Sequence, residues 1–119
     1  MQEKVKIQSH KDLIVWQKSF ALVKQVYLLC KLLPDSENYG LKSQMQRSAL
    51  SIPSNIAEGF GRHSKKYFKH FPLIAYGSAC ELETQLLLAH DVYGLDQAQA
   101  IAQLEERFKM LRVLIKKLD

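Results

Sequence analysis

The sequence predicts an all-α fold, an antiparallel up-down four-helix bundle, from three observations. Apolar residues recur at alternating steps of three and four along nearly the whole chain, which is the spacing of one helix face. No run alternates apolar and polar side chains between hairpin turns, as a strand would. The helical patterns are separated by short loops, and helices joined in this way pack antiparallel. The chain has 119 residues, which suits one domain, and we place that domain at residues 1–119.

The first two helices are predicted at about residues 12–33 and 37–58. The first carries two adjacent apolar stripes, so we expect it to pack on two sides, and Pro34 ends it because proline cannot continue a helix. The second has an apolar face running from Leu41 to Ile56, and the glycine-rich residues 59–61 end it. The two stripes of the first helix are Leu13, Trp16, Phe20, Val23, Tyr27 and Cys30, and then Val15, Leu22, Val26, Leu29 and Leu33.

The last two helices are predicted at about residues 64–93 and 96–118. Ser64 is a suitable N-cap for the third helix, whose heptad-like apolar seam runs from Phe68 to Tyr93. Gly94 marks its end. Asp96 opens the fourth helix, and a glutamine three residues later completes a pattern that resembles a capping box.

Pro53 and Pro72 fall inside the second and third helical patterns. An interior proline removes one backbone hydrogen bond and costs about 3 kcal/mol, so we expect kinks in both helices or a break near Ile52. Both helices also carry small and polar residues, which let helix backbones approach closely, so we expect these segments to face each other. They are Ser48, Ser51, Asn55 and Gly59 on the second helix and Ala75, Gly77, Ser78 and Ala79 on the third.

The sequence favours a soluble, cytoplasmic protein with no role in a membrane. The first residues lack the apolar region and the small-residue cleavage site of a signal peptide. No stretch reaches the roughly 18 consecutive apolar residues of a membrane span. Cys30 and Cys80 lie within apolar helical patterns far apart in sequence, so we expect two reduced, buried thiols.

The net charge of +5 is the remainder of larger blocks of opposite sign. Residues 42–70 carry six Lys and Arg against Glu58 alone, whereas residues 71–106 carry six acids and no Lys or Arg. The densest basic cluster, residues 62–70, spans a loop and a helix start and contains two aromatic residues, a mixture typical of nucleic-acid surfaces. An alternative is a solvated face kept for solubility. The candidate nucleic-acid-binding residues are Arg62, Lys65, Lys66 and Lys69, with Lys42 and Arg47 as weaker candidates.

A second basic surface, on the fourth helix, comprises Lys109, Arg112 and Lys116. There we favour an ordinary charged outer face.

Signatures of catalysis are missing from the sequence. Residues 59–64 approach a dinucleotide-binding glycine pattern but follow a helix rather than a strand. No histidine lies three residues after a glutamate, as a di-iron bundle requires. We therefore expect no enzyme activity, no catalytic residue, no cofactor and no metal.

Three segments carry a family resemblance. Residues 39–49 (YGLKSQMQRSA) and 51–59 (SIPSNIAEG), together with residues 75–84 (AYGSACELET), resemble the four-helix-bundle proteins encoded in intervening sequences of bacterial 23S rRNA genes. The resemblance covers about residues 10–118. It implies a homopentamer for which nucleic-acid binding is the usual proposal. The accessory protein of diversity-generating retroelements, a basic pentameric bundle that binds its reverse transcriptase and nucleic acid, is a more distant likeness.

Two functions follow from these observations. The first is a non-enzymatic, homo-oligomeric bundle that binds RNA or DNA mainly through phosphate contacts. The second is a protein-interaction scaffold or accessory subunit with no nucleic-acid role of its own, in which the acidic segment 71–106 meets basic surfaces of a protein partner or of a neighbouring subunit.

Overall fold

The computed structural model describes residues 7–62 and 65–118, and for residues 65–68 it describes the backbone alone. Within these residues it contains four α-helices and no strand. Two single turns of 3-10 helix precede α1 and α2. The bounds are α1, Ile14–Cys30; α2, Leu41–Gly61; α3, Lys65–Tyr93; α4, Ala98–Lys117; and the 3-10 turns His10–Asp12 and Asp35–Glu37.

The helices pack as a bundle in which each touches its two neighbours. α1 packs on α2, α2 on α3, α3 on α4, and α4 returns to α1. Short connections make consecutive helices antiparallel. α1 and α3 therefore run in the same direction at diagonal corners of the bundle, where neither covers the other.

The core of the bundle is built from apolar side chains on the inner faces of all four helices. Leu22, Met45, Ile52, Leu86 and Leu104 have no exposed surface, and burying such a side chain stabilises the fold by about 1.5–3 kcal/mol. In α1 the second predicted stripe is the core stripe: its members Val15, Leu22, Val26 and Leu33 are buried, and Leu29 packs against the core. Of the first stripe only Val23 and Cys30 are buried, while Phe20 and Tyr27 remain exposed.

α2 and α3 share the most extensive contact of any helix pair, and the predicted small-residue contact between them is confirmed. The hydroxyl oxygens of Ser51 and Ser78 are 2.7 Å apart, and the Gln85 amide donates to the Ser48 hydroxyl at 3.1 Å. Gly77 differs from the prediction: it lies on the exposed face of α3, with open space where a Cβ would stand. The rotation of about 100° between adjacent helical residues turns Gly77 away from the α2 contact that Ser78 makes.

Both prolines lie inside unbroken helices, Pro53 in α2 and Pro72 in α3, and both are buried. There is thus no break near Ile52, and a kink at either proline stays a prediction. α2 continues through Gly61, beyond its predicted end. Asp96 accepts the Ala98 N–H at 3.3 Å instead of forming a capping box. The predicted cap Ser64 lies outside the described residues.

Glu37 determines where α2 begins. One oxygen of its carboxylate accepts the Leu41 N–H at 3.1 Å, and the other accepts the Tyr93 hydroxyl at 2.5 Å. A Cβ at Gly40 would stand 2.7 Å from the first of these oxygens, so a larger residue there would displace the Glu37 carboxylate. The Tyr93 hydrogen bond, followed by the Leu41 N–H, lowers the pKa of Glu37. Glu37 therefore ties the start of α2 to the end of α3.

The two cysteines are free thiols in different environments. Cys30 is buried, and burial raises its pKa. Cys80 is exposed on α3, which corrects the prediction of two buried thiols. The apolar pattern around Cys80 belongs to its neighbours on the helix rather than to the cysteine itself. None of the described helices combines the length and the hydropathy needed to cross a bilayer.

Candidate nucleic-acid interface

The antiparallel topology gathers basic segments that are distant in sequence. α1 and α3 begin, and α2 and α4 end, at the same end of the bundle. We call the half of the bundle around this end the basic half. Within the described residues it contains eleven Lys and Arg and four carboxylates. The basic residues are Lys11, Lys18, Arg62, Lys65, Lys66, Lys69, Arg107, Lys109, Arg112, Lys116 and Lys117, and the acids are Asp12, Glu58, Glu105 and Glu106.

The opposite half of the bundle has the reverse balance. It contains four Lys and Arg, namely Lys24, Lys31, Lys42 and Arg47, and five carboxylates, with Glu81 near the dividing plane. The five acids are Asp35, Glu37, Glu83, Asp91 and Asp96. The charge of the described residues is therefore strongly asymmetric along the helix axes, although the total for the whole sequence is only +5.

Arg62 is the best-defined cation of the predicted cluster. It follows α2 directly, and its guanidinium lies 3.2 Å from a Glu58 carboxylate oxygen one turn earlier. The same guanidinium stands over the ring of Phe71 in α3, 5.4 Å from its centre. About half of the side chain remains exposed. Arg62 is thus held in place between two helices while it still presents charge to solvent, although Glu58 offsets part of that charge.

The other three residues of the cluster lie on the first two turns of α3. Lys69 is half-buried, and the backbone places Lys65 and Lys66 in the first turn. The side chains of Lys65 and Lys66 lie outside the described residues. The free N–H groups at a helix start favour phosphate. Because two helices start and two end here, their dipoles largely offset each other, and the attraction for an anion comes mainly from the side chains.

Lys42 and Arg47 lie in the other half of the bundle. Lys42 is about 30 Å from Arg62 along α2, at a helical rise of 1.5 Å per residue. Its ammonium donates to Asn38 Oδ1 at 2.8 Å and lies 3.8 Å from Asp35, and its side chain is only 14% exposed. Arg47 is exposed beside a polar cleft between α2 and α3 that Glu81 and Gln85 also line. The six predicted residues therefore do not form one surface.

The C-terminal turns of α4 add cations to the basic half that the sequence alone assigned to an ordinary outer face. Lys109, Lys116 and Lys117 are exposed, and Arg112 donates to the Tyr76 hydroxyl of α3 at 3.0 Å. The signal that identifies them is the helix topology, because it brings the end of α4 beside the start of α3.

Arg107 is the exception among the α4 cations, since it is buried with 4% exposure. It donates to the Lys18 carbonyl of α1 at 3.0 Å, and burial lowers its pKa. Glu106 beside it accepts a hydrogen bond from the Lys18 ammonium, which lowers the pKa of Glu106. Arg107 therefore belongs to the contact between α1 and α4, not to a ligand surface.

The described residues contain no group of three or more His, Cys, Asp or Glu side chains placed to hold a metal ion. The features that stand out on the described surface are the charge asymmetry and exposed apolar residues on α1 and α3. The class of protein is accordingly a small, all-helical bundle.

The family model of the 23S rRNA-intervening sequence protein matches residues 11–117, so the chain belongs to this family. The family predicted from residues 39–59 and 75–84 is confirmed. Among solved structures, the chain is similar to a protein of unknown function from the S23 ribosomal protein family of Bacteroides thetaiotaomicron VPI-5482. The two share 27% identity with a TM-score of 0.77, over 87% of this chain and 99% of that chain. Comparison with curated proteins finds no match.

Proposed function

We propose that this chain is a non-enzymatic, homo-oligomeric bundle that binds RNA or DNA through phosphate contacts made by its basic half. The observation that supports the proposal is that ten Lys and Arg from four separate segments of the described residues converge on one half of the molecule, against four carboxylates, when the buried Arg107 is not counted. Phosphate contacts provide affinity without sequence preference. Arg62, Lys65, Lys66 and Lys69 are the expected main contacts, and the exposed lysines of α4 extend the same surface.

Oligomerisation would multiply this surface. α1 and α3 each carry several exposed apolar side chains, such as Leu28 and Leu88. Groups of exposed apolar side chains are typical of surfaces that contact another protein. The family resemblance implies five subunits. Repeating a basic surface around an axis would let individually weak phosphate contacts act together through a high effective concentration.

The test compares two double variants that each remove one arginine and one lysine. Arg62→Ala with Lys69→Ala alters the basic half, and Lys42→Ala with Arg47→Ala alters the other half. Affinity for a fluorescent single-stranded RNA and for a duplex DNA is measured by anisotropy over a series of salt concentrations. Each phosphate contact contributes about 0.9 to the slope of log K against log salt for duplex DNA, so at ~0.1 M salt its loss costs up to about eightfold.

The expected result is a steep salt dependence for the native protein and a slope lower by about two in the Arg62/Lys69 variant. The Lys42/Arg47 variant should lose much less, because these two residues lie in the half of the bundle where carboxylates outnumber Lys and Arg. Replacing Arg62, Lys65, Lys66 and Lys69 together by alanine should abolish measurable binding at physiological salt. Binding that is insensitive to salt, or equal losses in the two double variants, would contradict the proposal.

The second candidate is a scaffold or accessory subunit that binds a protein partner. The exposed apolar residues of α3, in the chain's acidic segment 71–106, favour a protein contact at that helix. Recovery of one stoichiometric partner protein after nuclease treatment, by a chain that binds neither RNA nor DNA in the anisotropy assay, would favour this function over the first.

A further inference from the structure

The outward faces of α1 and α3 carry the exposed apolar residues of the bundle that lie in continuous rows. On α1, Leu28 is 62% exposed and Ile14 is 61% exposed, and on α3, Leu88 is 51% exposed and Val92 is 59% exposed. We call these surfaces the α1 face and the α3 face. The α1 face comprises Ile14, Phe20, Ala21, Tyr27 and Leu28, and the α3 face comprises Leu73, Ile74, Leu87, Leu88 and Val92.

The two faces carry charges of opposite sign. Lys24 and Lys31 lie on the α1 face, and with Leu28 they line a shallow hollow of about 550 Å³. Glu81 and Asp91 lie on the exposed side of α3. In the part of the chain that the structure describes, neither of these carboxylates has a cation within 4 Å. The Lys24 ammonium stands over the Phe20 ring of its own helix, at 5.2 Å.

The hydrogen bonds to α2 establish which residues of α1 and α3 lie at the same height. Cys30 contacts the Lys42 carbonyl, and Gln85 contacts Ser48. Lys42 is about 9 Å nearer to the start of α2 than Ser48 is. Because α3 runs opposite to α2, the residue of α3 at the height of Cys30 is close to Asp91.

An offset of about 60 residues therefore relates the two parallel helices. Leu28 lies at the height of Leu88, and Ile14 at the height of Ile74. Lys31 lies at the height of Asp91, and Lys24 is within one turn of Glu81. The apolar rows and the charges of the α1 face and the α3 face are thus complementary at matching heights.

We propose that two copies of this chain join through these faces, with α3 of one copy packed parallel to α1 of the next. This inference rests on the homo-oligomer of the proposed function and names its contact. A contact between two α1 faces would bring lysines together, and a contact between two α3 faces would bring carboxylates together. Only the mixed contact pairs opposite charges. Ala21 and Gly77, near the middle of the two faces, provide no bulk that would keep the helices apart.

The mixed contact joins the α3 face of one chain to the α1 face of the next. Every chain has both faces, so it can contact two neighbours. Such heterologous contacts generate a closed ring when the rotation between subunits closes. Parallel α1 and α3 helices meet at equal heights when all subunits point the same way along the ring axis. The diagonal positions of α1 and α3 leave both faces free at once.

The experiment uses three matched Leu→Asp variants at exposed sites. Leu28→Asp disrupts the α1 face, and Leu88→Asp disrupts the α3 face. Leu50→Asp is the control, since Leu50 is similarly exposed, at 47%, on the outer surface of α2. Nuclease-treated proteins are measured by light scattering after size exclusion, and circular dichroism checks that each is helical. If Leu28→Asp or Leu88→Asp is not helical, Leu28→Gln and Leu88→Gln are used in place of these two variants.

We expect the native protein and the Leu50 variant to be oligomers of equal size, and the Leu28 and Leu88 variants to be monomers. Mixed in equal amounts, the two monomeric variants retain one intact contact between them and should form a dimer of one chain of each. A native monomer, a Leu28 or Leu88 variant of native size, or a mixture that stays monomeric overturns the inference. The anisotropy assay is separate: an oligomer that assembles in this way but binds no nucleic acid would refute only the proposed nucleic-acid function.

Discussion

Arg107 offers a sharp test of how α1 and α4 are held together. The guanidinium is buried at 4% exposure and makes one hydrogen bond, to the Lys18 carbonyl at 3.0 Å. Its Nη1 lies 3.2 Å from a Glu106 carboxylate oxygen without hydrogen-bond geometry. Within the described residues, Nη1 and Nε find no hydrogen-bond acceptor. The proposed perturbations are Arg107→Met, which keeps much of the aliphatic stem, and Arg107→Ala, which removes it.

The magnitude follows from those contacts. Methionine forgoes a charge-assisted hydrogen bond worth about 1.5–3 kcal/mol. It also removes the buried Nε donor, which finds no acceptor among the described residues and costs about 1–3 kcal/mol, whereas Nη1 keeps its ionic contact with Glu106. These terms nearly cancel, and buried charges replaced by apolar side chains of similar size often leave stability unchanged or raised. We therefore expect Arg107→Met to change the free energy of unfolding by less than about 1 kcal/mol. Arg107→Ala also leaves a cavity, so it should cost about 2–4 kcal/mol.

Urea unfolding followed by far-ultraviolet circular dichroism measures both changes. The dependence of the free energy on urea should be the same in all three proteins, because the surface exposed on unfolding hardly changes. A loss of more than about 2 kcal/mol in Arg107→Met, equal to that in the alanine variant, would refute the reasoning. It would mean that the ionic contacts of the guanidinium, rather than the packing of its stem, stabilise the pairing of α1 and α4.

Three further outcomes are expected. Glu58→Gln removes the carboxylate beside the arginine that follows α2, so nucleic-acid affinity measured by anisotropy should rise, by up to the roughly eightfold expected at ~0.1 M salt for one freed phosphate contact. A Glu→Gln change in the other half of the bundle should leave the affinity unchanged. The folded-state pKa of Glu37 is lowered, chiefly by Tyr93, so the unfolded chain binds this proton more tightly and stability falls as the pH drops below the ordinary glutamate pKa. Tyr93→Phe should therefore lose less stability than the native protein between about pH 6 and pH 3 in urea titrations, and an equal loss would contradict this account. Ala21→Cys should form a disulfide with Cys80 of a neighbouring chain under mild oxidation, visible as a dimer on a non-reducing gel, whereas either cysteine alone should not.

The fold was predictable from the sequence because helix periodicity is a local property. The spacing of apolar residues within each helix already indicates its core face. Each of these faces contains a fully buried side chain, namely Leu22, Met45, Leu82 and Leu104. The prediction was less accurate in α1. Its two apolar stripes have similar composition, and only packing against α2 and α4 decides that Val15 and Leu22 are buried while Phe20 is exposed.

The candidate site was less predictable because it depends on which segments meet. The local cluster at residues 62–69 is visible in the sequence, whereas the contribution of Lys116 and its neighbours requires the end of α4 to lie beside the start of α3. Arg107 is charged but buried, whereas Cys80 lies in an apolar pattern but is exposed. Each lies in a helical pattern where one residue of rotation, about 100°, separates a buried position from an exposed one. Charge and hydrophobicity alone do not determine which of these a residue occupies.

The separation of charge along the bundle affects the rate at which the chain would associate with a polyanion. A molecule whose positive charge is concentrated toward one end has a large electric dipole along its axis. In the field of a phosphate backbone that dipole experiences a torque, so the chain turns its basic half forward before contact. Such steering raises association rates well above those of a uniformly charged protein, and the gain disappears as the Debye length shortens to about 8 Å at physiological ionic strength. The order of the four helices, which places the basic segments at one end, therefore sets how this chain turns in the field of a polyanion at low ionic strength.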